Sequence, residues 1–303
     1  MRLRMILLQP MSQASTPTLP AVSHVICPIF GVDFTSAPSR RKAITIARGQ
    51  LVHQTLTVSR VERIESFDAF EQLLAQPGPW VGGFDFPFGL PRELVLTLDW
   101  PLDWRALVEH VGRIGKQTFK DRLDEVRTAR AAGQKYIARR GDRAAGSSSP
   151  MKLVNPPVGL MFFEGAQRLA RAGVSVVPCS VNATDGRVAL EAYPGFLARK
   201  ITSQSYKKDG REGSTPARIA AREIIAERLA AFARDSLGIN VTISSALAAE
   251  SVADGSGDTL DSILCAVQAA WGAMRQINGD ARCGIPLTAD DFEGWIVSVP
   301  PAA

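Results

Sequence analysis

The chain has 303 residues, of which 46% are hydrophobic and 21% charged, values close to those of average globular proteins. This composition excludes a disordered, collagen-like or disulfide-scaffold protein, and the length allows one large domain or two average ones. Basic residues (35) exceed acidic residues (30), which gives a net charge of +5 at pH 7. Nine basic and four acidic residues lie between Lys116 and Arg143, so this segment alone carries a surplus of five. Such a concentrated surplus indicates an anionic partner.

Cysteine and histidine spacing indicates the compartment. The four cysteines and three histidines form neither a CxxC pair nor a zinc-ligand spacing, which argues against zinc and iron–sulfur sites. Widely scattered cysteines are typical of a reducing compartment. No apolar run approaches the roughly 20 residues that a membrane span needs. We therefore expect a cytoplasmic protein with no membrane partner.

The first part of the chain alternates strand-like and helix-like patterns. Prolines among small polar residues predict a disordered leader over residues 1–22, followed by a single domain over 23–300. The strand-like segments are residues 29–34, 43–48, 51–60 and 80–86. A turn is predicted at Gly49 and Gln50, and Ser66 predicts the start of a helix before the fourth strand. This order predicts the front half of a mixed α/β sheet.

The second part begins with a helical pattern from about residue 91 to 157, which includes the basic segment. We interpret this stretch as a helical insertion, because the sheet pattern resumes after it. Further helices are predicted at 160–172, 216–235 and 258–274, and further strands at 174–177, 187–193 and 293–297.

Acidic residues placed singly in apolar surroundings are the most distinctive feature of the sequence. They are Asp33 in IFGVDF, Asp85 in VGGFDFPFG, Glu191 in VALEAYPG, and Asp258 with Asp261 at the start of a helix that has no charge from Ser262 to Met274. A carboxylate beside a buried strand must be paired, protonated or bound to a cation. If these carboxylates converge, they form an oxygen-ligand site for Mg²⁺ or Mn²⁺.

Each acidic residue also has a structural interpretation. Asp258 is suited to cap its helix, and Asp261 to interact with the helix dipole. Asp33 is suited to an Asx turn, Asp85 to a turn before Pro87, and Glu191 to an ion pair with an arginine on the sheet face.

The spacing of the last two acids favours a shared ligand. Residues 258 and 261 are three apart, so they lie on one face of the helix. Small residues on the same side would let this helix press against a sheet and aim both carboxylates at strand ends. Those side-chain positions are Cys265, Gln268, Ala269 and Gly272.

The order of GVDFTSA, GFDFPFGLP, LEAYPG and GDTLDSILCA resembles family 429 of the domains of unknown function, regarded as predicted ribonuclease-H-like nucleases. The resemblance covers about residues 24–298. It implies a ribonuclease-H-like three-layer α/β fold with a five-stranded mixed sheet, the first three strands antiparallel and helices on both faces. It also implies metal-dependent phosphodiester hydrolysis by a two-metal mechanism. The similar motif often has a histidine where this chain has Gly257.

The resemblance also assigns roles to particular residues. Asp33 would bridge two Mg²⁺ or Mn²⁺ ions, Asp85 and Glu191 would share one ion, and Asp258 and Asp261 would hold the other. A nucleic-acid substrate is then the expected partner. Candidate phosphate contacts are Lys116, Lys120, Arg139, Arg140, Lys207, Lys208 and Arg211. The structural interpretation of these basic residues is a solvated helix face and a loop.

Two other functions stay open. GVDFTSAPS also resembles the phosphate-gripping strand and turn of actin-fold kinases, although the chain has no second motif of that kind. Alternatively, the protein keeps the sheet as a non-catalytic module that binds nucleic acid or protein. Carboxylates gathered in one coordination sphere would favour the nuclease, and dispersed carboxylates the binding module.

Overall fold

The computed structural model describes residues 26–208 and 214–301, so the predicted leader and Arg211 lie outside the described residues. The strands are β1 (Cys27–Asp33), β2 (Ile44–Val52), β3 (Thr55–Ile64), β4 (Trp80–Phe84), β5 (Ser175–Val177), β6 (Arg187–Glu191) and β7 (Asn240–Ile243). The helices are α1 (Phe67–Leu74), α2 (Arg92–Thr97), α3 (Trp104–Ala129), α4 (Arg140–Ala145), α5 (Val158–Ala172), α6 (Pro194–Ile201), α7 (Pro216–Phe232), α8 (Ser245–Ala253) and α9 (Asp258–Ile277). A π-helical turn, Ala233–Leu237, follows α7.

The strands form one mixed sheet in the order β5-β6-β4-β1-β2-β3-β7. β1, β2 and β3 form the predicted antiparallel meander, and β4 and β6 continue the sheet parallel to β1. The α/β class with a mixed sheet is therefore confirmed. The expected count of five strands is wrong, because β5 and β7 add one short strand at each edge. The last predicted strand, 293–297, makes a single bridge between Glu191 and Ile296.

The turn between β2 and β3 differs from its predicted position. The chain reverses at His53 and Gln54 instead of at Gly49, which lies inside β2. At Gly49 the register of the β2–β3 pair shifts, and a Cβ atom there would lie 2.8 Å from the carbonyl oxygen of Thr57. The extra residue of this bulge is Ser59 of β3, because Arg48 pairs with Arg60 and Gly49 with Val58. Gly49 lies beside the bulge on the opposite strand, where the two backbones approach closely.

Apolar side chains leave the sheet on both faces. Along β1, Cys27 and Ile29 enter one apolar cluster, whereas Phe30 and Val32 enter another. This alternation is the period of two expected for a strand. The first cluster includes residues of α6, α7 and α9, and the second includes residues of α1, α2, α3 and α5. The sheet therefore lies between two helical layers.

The predicted helical insertion corresponds to α2, α3 and α4, which lie between β4 and α5 in the chain. The helix α3 is broken at Gly115, whose φ is +79°, a value that glycine adopts readily. The basic segment is thus not one helix, since residues 130–139 connect α3 to α4 without helical structure. Within the described ranges, no helix combines the length and apolar character needed to cross a membrane.

Candidate functional site

Three of the predicted acidic residues lie at one edge of the sheet. Asp33 ends β1, Asp85 follows the last residue of β4, and Glu191 ends β6. These three strands are parallel neighbours, and Phe84 pairs in register with Val32 on one side and Glu191 on the other. The carboxyl ends of parallel strands meet at the same edge, where ligands commonly bind in α/β sheets. The sequence prediction that these acids share one edge is therefore consistent with the register.

Close packing of α9 on the sheet brings the other two acids toward this edge. A Cβ atom on Gly31 would lie 2.0 Å from the carbonyl oxygen of Ser262, and one on Gly83 would lie 2.4 Å from that of Cys265. Only glycine at these strand positions lets the helix backbone approach so closely. The small-residue side of α9 thus presses against β1 and β4, as predicted, and its first turn carries Asp258 and Asp261.

The N-terminus of α9 is not capped by Asp258. Gly257 is the N-cap residue, with φ +80°, and Asp254 supplies the capping carboxylate instead. Its Oδ2 accepts from the backbone N–H of Thr259 at 2.9 Å and from the Thr259 hydroxyl at 2.7 Å. Arg63 donates to the same oxygen at 3.0 Å. Because Asp254 performs the capping, Asp258 and Asp261 are not needed for it.

The carboxylate of Asp261 is fully buried and bonds to two residues of another segment. The Tyr206 hydroxyl donates to Oδ1 at 2.6 Å, and the Lys207 ammonium donates to Oδ2. Arg222, also buried, donates to the carbonyl of Tyr206 at 2.8 Å and so anchors this segment. A Cβ atom at Gly257 would lie 2.9 Å from Cβ of Lys207. The glycine that replaces the expected histidine therefore leaves room for the lysine stem.

Charge interactions join the acids into one group, here called the carboxylate cluster: Asp33, Asp85, Asp258 and Asp261. Burial raises the pKa of Asp33 well above its usual value, and Asp261, Asp258 and Asp85 raise it further, against the opposite effect of Lys207. Burial also raises the pKa of Asp85 to about 7, with additional repulsion from Asp261 and Glu191. Like charges and burial both disfavour ionisation of a carboxyl group. The cluster thus binds protons more readily than isolated carboxyl groups do.

Lys207 is the cation that faces this cluster. Its burial would lower its pKa, but Asp261, Asp33 and Asp85, with Tyr206, raise the pKa well above the usual value for lysine. The side chain is therefore charged at neutral pH. The pKa values of Asp33, Asp85 and Asp258 remain raised because burial and repulsion between the carboxyl groups outweigh the opposite effect of Lys207.

Glu191 has a different partner. Two nitrogens of Arg139 donate to its carboxylate at 2.5 and 2.8 Å, and the backbone N–H of Phe88 donates at 2.9 Å. Arg139 also pairs with Asp142 at 2.7 Å, which makes a buried triad of one arginine and two acids. Burial still raises the pKa of Glu191, while Arg139 opposes that effect. Glu191 thus has an arginine partner, as its structural interpretation expected, but Arg139 immediately precedes α4 and does not lie on the sheet face.

The candidate phosphate contacts fall in different environments. Arg139 has only 2% of its side chain exposed, and its guanidinium is paired with Glu191 and Asp142, so it does not lie on the exposed basic surface. Lys116 pairs with Glu164 at 2.9 Å, Lys120 lies near Gln117, and Arg140 is exposed beside the buried triad. Lys207 and Lys208 line a cavity next to the cluster, whereas Lys116 and Lys120 do not.

That cavity has a volume of about 340 Å³. Asp85 and Lys207 belong both to its wall and to the carboxylate cluster, so the cavity opens onto the cluster. Arg139 and Glu191 also contribute to the wall, next to apolar side chains. A concave, mostly apolar pocket with a few converging polar groups is the usual form of a small-molecule site.

Tyr206 and Asp254 are site residues that the sequence analysis missed. Tyr206 follows an irregular segment with no periodic pattern, so nothing in the sequence marks its contact with Asp261. Asp254 lies three residues before the N-cap, a position from which a carboxylate reaches the first turn only if the intervening chain folds back. The dipeptide Gly255–Ser256 was a weak turn signal for that reversal.

The donor set suits a hard divalent cation, although its arrangement does not yet form a closed site. Among residues 26–208 and 214–301, no three acidic, histidine or cysteine side chains are grouped so as to hold a metal ion. The fit rests on chemistry, because carboxylate oxygens are the preferred ligands of Mg²⁺ and Mn²⁺. The buried hydroxyl of Thr45, which pairs in register with Asp33, has no hydrogen-bond partner.

Comparisons of the chain with protein-family models, curated proteins and solved structures gave no match. The function is therefore argued from the geometry and charge of the site.

Proposed function

We propose that this protein is a metal-dependent phosphodiesterase, a nuclease whose reaction centre is the carboxylate cluster. The observation that carries the proposal is the meeting of acids from β1, from the end of β4 and from α9 around a single lysine. A structural role would require each carboxylate to have its own partner, as Glu191 has in Arg139. Asp33 and Asp85 instead retain raised pKa values, as clustered catalytic carboxylates do.

The sheet supports the same proposal. Its central strands, β3-β2-β1-β4-β6, form a mixed five-stranded set whose first three members are antiparallel, as the resemblance to ribonuclease-H-like nucleases implies. The short strands β5 and β7 extend this set without interrupting it. The acidic motifs of the resembled family carry over to Asp33, Asp85 and Glu191, which lie at the carboxyl ends of β1, β4 and β6, and to Asp261 in the first turn of α9.

Each residue of the site has a separate role in the proposed hydrolysis. Asp33, Asp85, Asp258 and Asp261 would hold Mg²⁺ or Mn²⁺, which supplies charge stabilisation and activates water. Lys207 would leave Asp261 and donate to a non-bridging oxygen of the scissile phosphate. Tyr206, held by Arg222, keeps the Asp261 carboxylate oriented in either state. Arg139 and Glu191 form the fixed wall beside the reacting phosphate.

One observation favours a second candidate, a non-catalytic binding module. Lys207 already bonds to Asp261, and no closed metal site is formed among the described residues. In that case Lys207 would be a permanent structural counterion, and ligands would bind in the cavity without being cleaved.

The deciding experiment compares wild type with Asp261→Asn on single-stranded, duplex and branched substrates in Mn²⁺. We expect wild-type cleavage and a loss of at least about 100-fold in the variant, since asparagine keeps the shape but not the charge of the ligand. Asp68→Asn is the matched control, because Asp68 is an exposed first-turn acid of α1. It should cleave like wild type.

Two outcomes would count against the nuclease. Equal cleavage by wild type and Asp261→Asn would remove Asp261 from the reaction centre. Absence of cleavage by wild type on every substrate, with ligand binding retained, would favour the binding module.

A further inference from the structure

The cavity beside the carboxylate cluster combines charged and apolar walls. Asp85 and Lys207 connect it to the proposed reaction centre, and Lys208 adds a second ammonium. The apolar side consists of chain segments far apart in sequence: Phe86, Pro87, Val158, Met161, Tyr193 and Ile296. Asp142 and Glu191 also line the cavity but are paired with Arg139, so the ammonium groups of Lys207 and Lys208 are the wall groups that suit an anionic part of a ligand. The other wall suits a flat or apolar part.

The size of the cavity limits that ligand. Its volume of about 340 Å³ is near the lower end of the roughly 300–1,000 Å³ typical of small-molecule sites. A duplex is instead contacted over an extended surface of about 1,000 Å² or more. The cavity thus matches one nucleotide unit, and a paired helix does not fit within it.

The wall chemistry suits an aromatic base. Tyr193 presents a half-buried ring, with the guanidinium of Arg199 5.1 Å from its centroid on one side and its backbone fixed by Gln268. Bases stack on aromatic and other flat side chains independently of sequence. Ser147 and Ser148 also line the cavity, and the hydroxyl of Ser147, which donates to Asp142 at 2.9 Å, is suited to accept a hydrogen bond from a sugar hydroxyl.

Resting on the proposed phosphodiester hydrolysis, we infer that this cavity binds a single nucleotide unit, with its base against the apolar wall and its phosphate toward Asp85 and Lys207. The unit comes either as a free nucleotide or as one unpaired nucleotide of a strand. In both cases the reaction centre acts on a phosphate whose nucleotide has been separated from any partner strand.

The test measures binding, so it is independent of cleavage. Adenosine 5′-monophosphate and inorganic phosphate are titrated into the full-length protein by calorimetry, with and without Mn²⁺. We expect the nucleotide to bind at least about tenfold more tightly than phosphate under either condition, because only the nucleotide buries apolar surface. Equal affinities would overturn the inference.

Two cavity-filling variants and a control test the location. Met161→Phe and Val158→Phe enlarge half-buried wall residues from the apolar side, whereas Leu287→Phe adds a comparable ring at a position that is 88% exposed. Whichever filled variant keeps the wild-type melting temperature should lose nucleotide affinity at least about tenfold, and the control should not. Wild-type affinity in a folded filled variant would exclude this cavity.

Two further measurements distinguish a free nucleotide from a strand as the ligand, and this inference from the proposed hydrolysis. A linear hexanucleotide that competes with the mononucleotide supports a strand as the source, and one that does not compete supports the free nucleotide. If the nucleotide binds but no substrate is cleaved, the proposed hydrolysis fails while this inference stands. If substrates are cleaved but the nucleotide binds no better than phosphate, the inference fails alone.

Discussion

The ammonium of Lys207 donates to the carboxylate of Asp261 across 54 residues of chain. Asp261 is fully buried, whereas 38% of the lysine side chain is exposed, so the charge enters the cluster from the solvent side. Its interactions extend beyond this pair, because Asp33 and Asp85 also respond to its charge. Lys207 is therefore central to the stability of the cluster and to its proposed chemistry.

Replacing Lys207 tests how much of the cluster's charge it offsets. Lys207→Met should lower the free energy of unfolding by about 2 kcal/mol at pH 7.5, because it leaves Asp261 buried without a counterion. Partial exposure of the lysine keeps this figure below the value for a fully buried pair. The loss of unfolding free energy should be smaller at pH 5, because protonation of carboxyl groups in the cluster removes negative charge that Lys207 offsets. Urea unfolding at both pH values measures the difference.

Lys116→Met is the matched control for that experiment. Lys116 makes a lysine–carboxylate pair with Glu164, but its side chain is 44% exposed and it lies outside the cluster. Its removal should change the unfolding free energy by less than about 0.5 kcal/mol. Equal losses of unfolding free energy in the two variants would mean that Lys207 contributes no more to stability than a lysine in an exposed ion pair.

Replacing Asp85 should change how stability depends on pH. Burial raises its pKa to about 7, so between about pH 4 and 7 the folded state keeps a proton that the unfolded state has released. This group therefore makes the protein less stable as pH rises through that range. Asp85→Asn has no such group, so its free energy of unfolding should exceed that of wild type by about 4 kcal/mol at pH 8 and should match it at pH 4.

Urea unfolding from pH 4 to pH 8 checks this prediction. Asp103→Asn serves as a control, because Asp103 is an exposed capping residue of α3 outside the cluster. An unchanged pH slope in Asp85→Asn would mean that Asp85 ionises as an ordinary carboxyl group. If wild type but not the variant gains stability from Mn²⁺, the same residue is also implicated in cation binding.

Local sequence patterns predicted β1 to β6, including the edge strand β5, but not the opposite edge strand β7. The residues of β1 and β4 alternate or run apolar over their whole length, and Ser66 caps α1 as expected. β7 has only four residues and lies after a π-helical turn, so no periodicity distinguishes it from a loop. The predicted turn at Gly49 is wrong because a glycine in a strand pattern suits a close approach of two backbones beside a bulge as well as it suits a turn.

The site was predicted as far as it depends on strand ends. The carboxylates of Asp33 and Asp85 could be placed because each follows an apolar strand, and that of Asp261 because helical spacing relates it to Asp258. The counterions could not be placed. Lys207 reaches Asp261 only because the chain folds past Gly257, and the burial of Arg139 depends on Glu191, 52 residues away. Such contacts depend on tertiary packing, and a high density of basic residues in a sequence segment does not show which of them become buried.

Asp254 should contribute stability that is lost only in strong acid. Its burial would raise the pKa, but hydrogen bonds from Ser256 and Thr259 and the charge of Arg63 lower the pKa to about 2. A depressed carboxyl pKa stabilises the folded state above the unfolded value near 3.9 and loses that effect as pH falls toward 2. Asp254→Ala should therefore cost about 2 kcal/mol at pH 7.

The gap between wild type and Asp254→Ala should close between about pH 4 and pH 2, as measured by thermal unfolding over that range. Glu250→Ala is a suitable control, since Glu250 is an exposed acid on the neighbouring helix α8. An equal difference in stability between wild type and Asp254→Ala at pH 2 and pH 7 would show that the hydrogen bonds of Asp254 stabilise the fold even when its carboxyl group is neutral.

Arg139 and Arg140 are adjacent in sequence yet should respond differently to the same change. Arg139 is buried and bonded to Glu191 and Asp142, whereas the side chain of Arg140 is exposed. Arg139→Gln leaves two buried carboxylates without their counterion, which should cost about 3–5 kcal/mol of unfolding free energy. Arg140→Gln should change stability by less than about 0.5 kcal/mol.

The same pair of variants separates a structural role from a substrate contact. If Arg139 acts only through Glu191 and Asp142, then adding Glu191→Gln to Arg139→Gln should recover part of the lost stability, because one uncompensated charge is removed. Chemical unfolding of the single and double variants measures that recovery. Arg140→Gln should instead lower the salt dependence of nucleic-acid binding by about one unit if this exposed arginine contacts a phosphate. A stable Arg139→Gln protein with a reduced salt slope would reverse the two assignments and return Arg139 to the substrate surface.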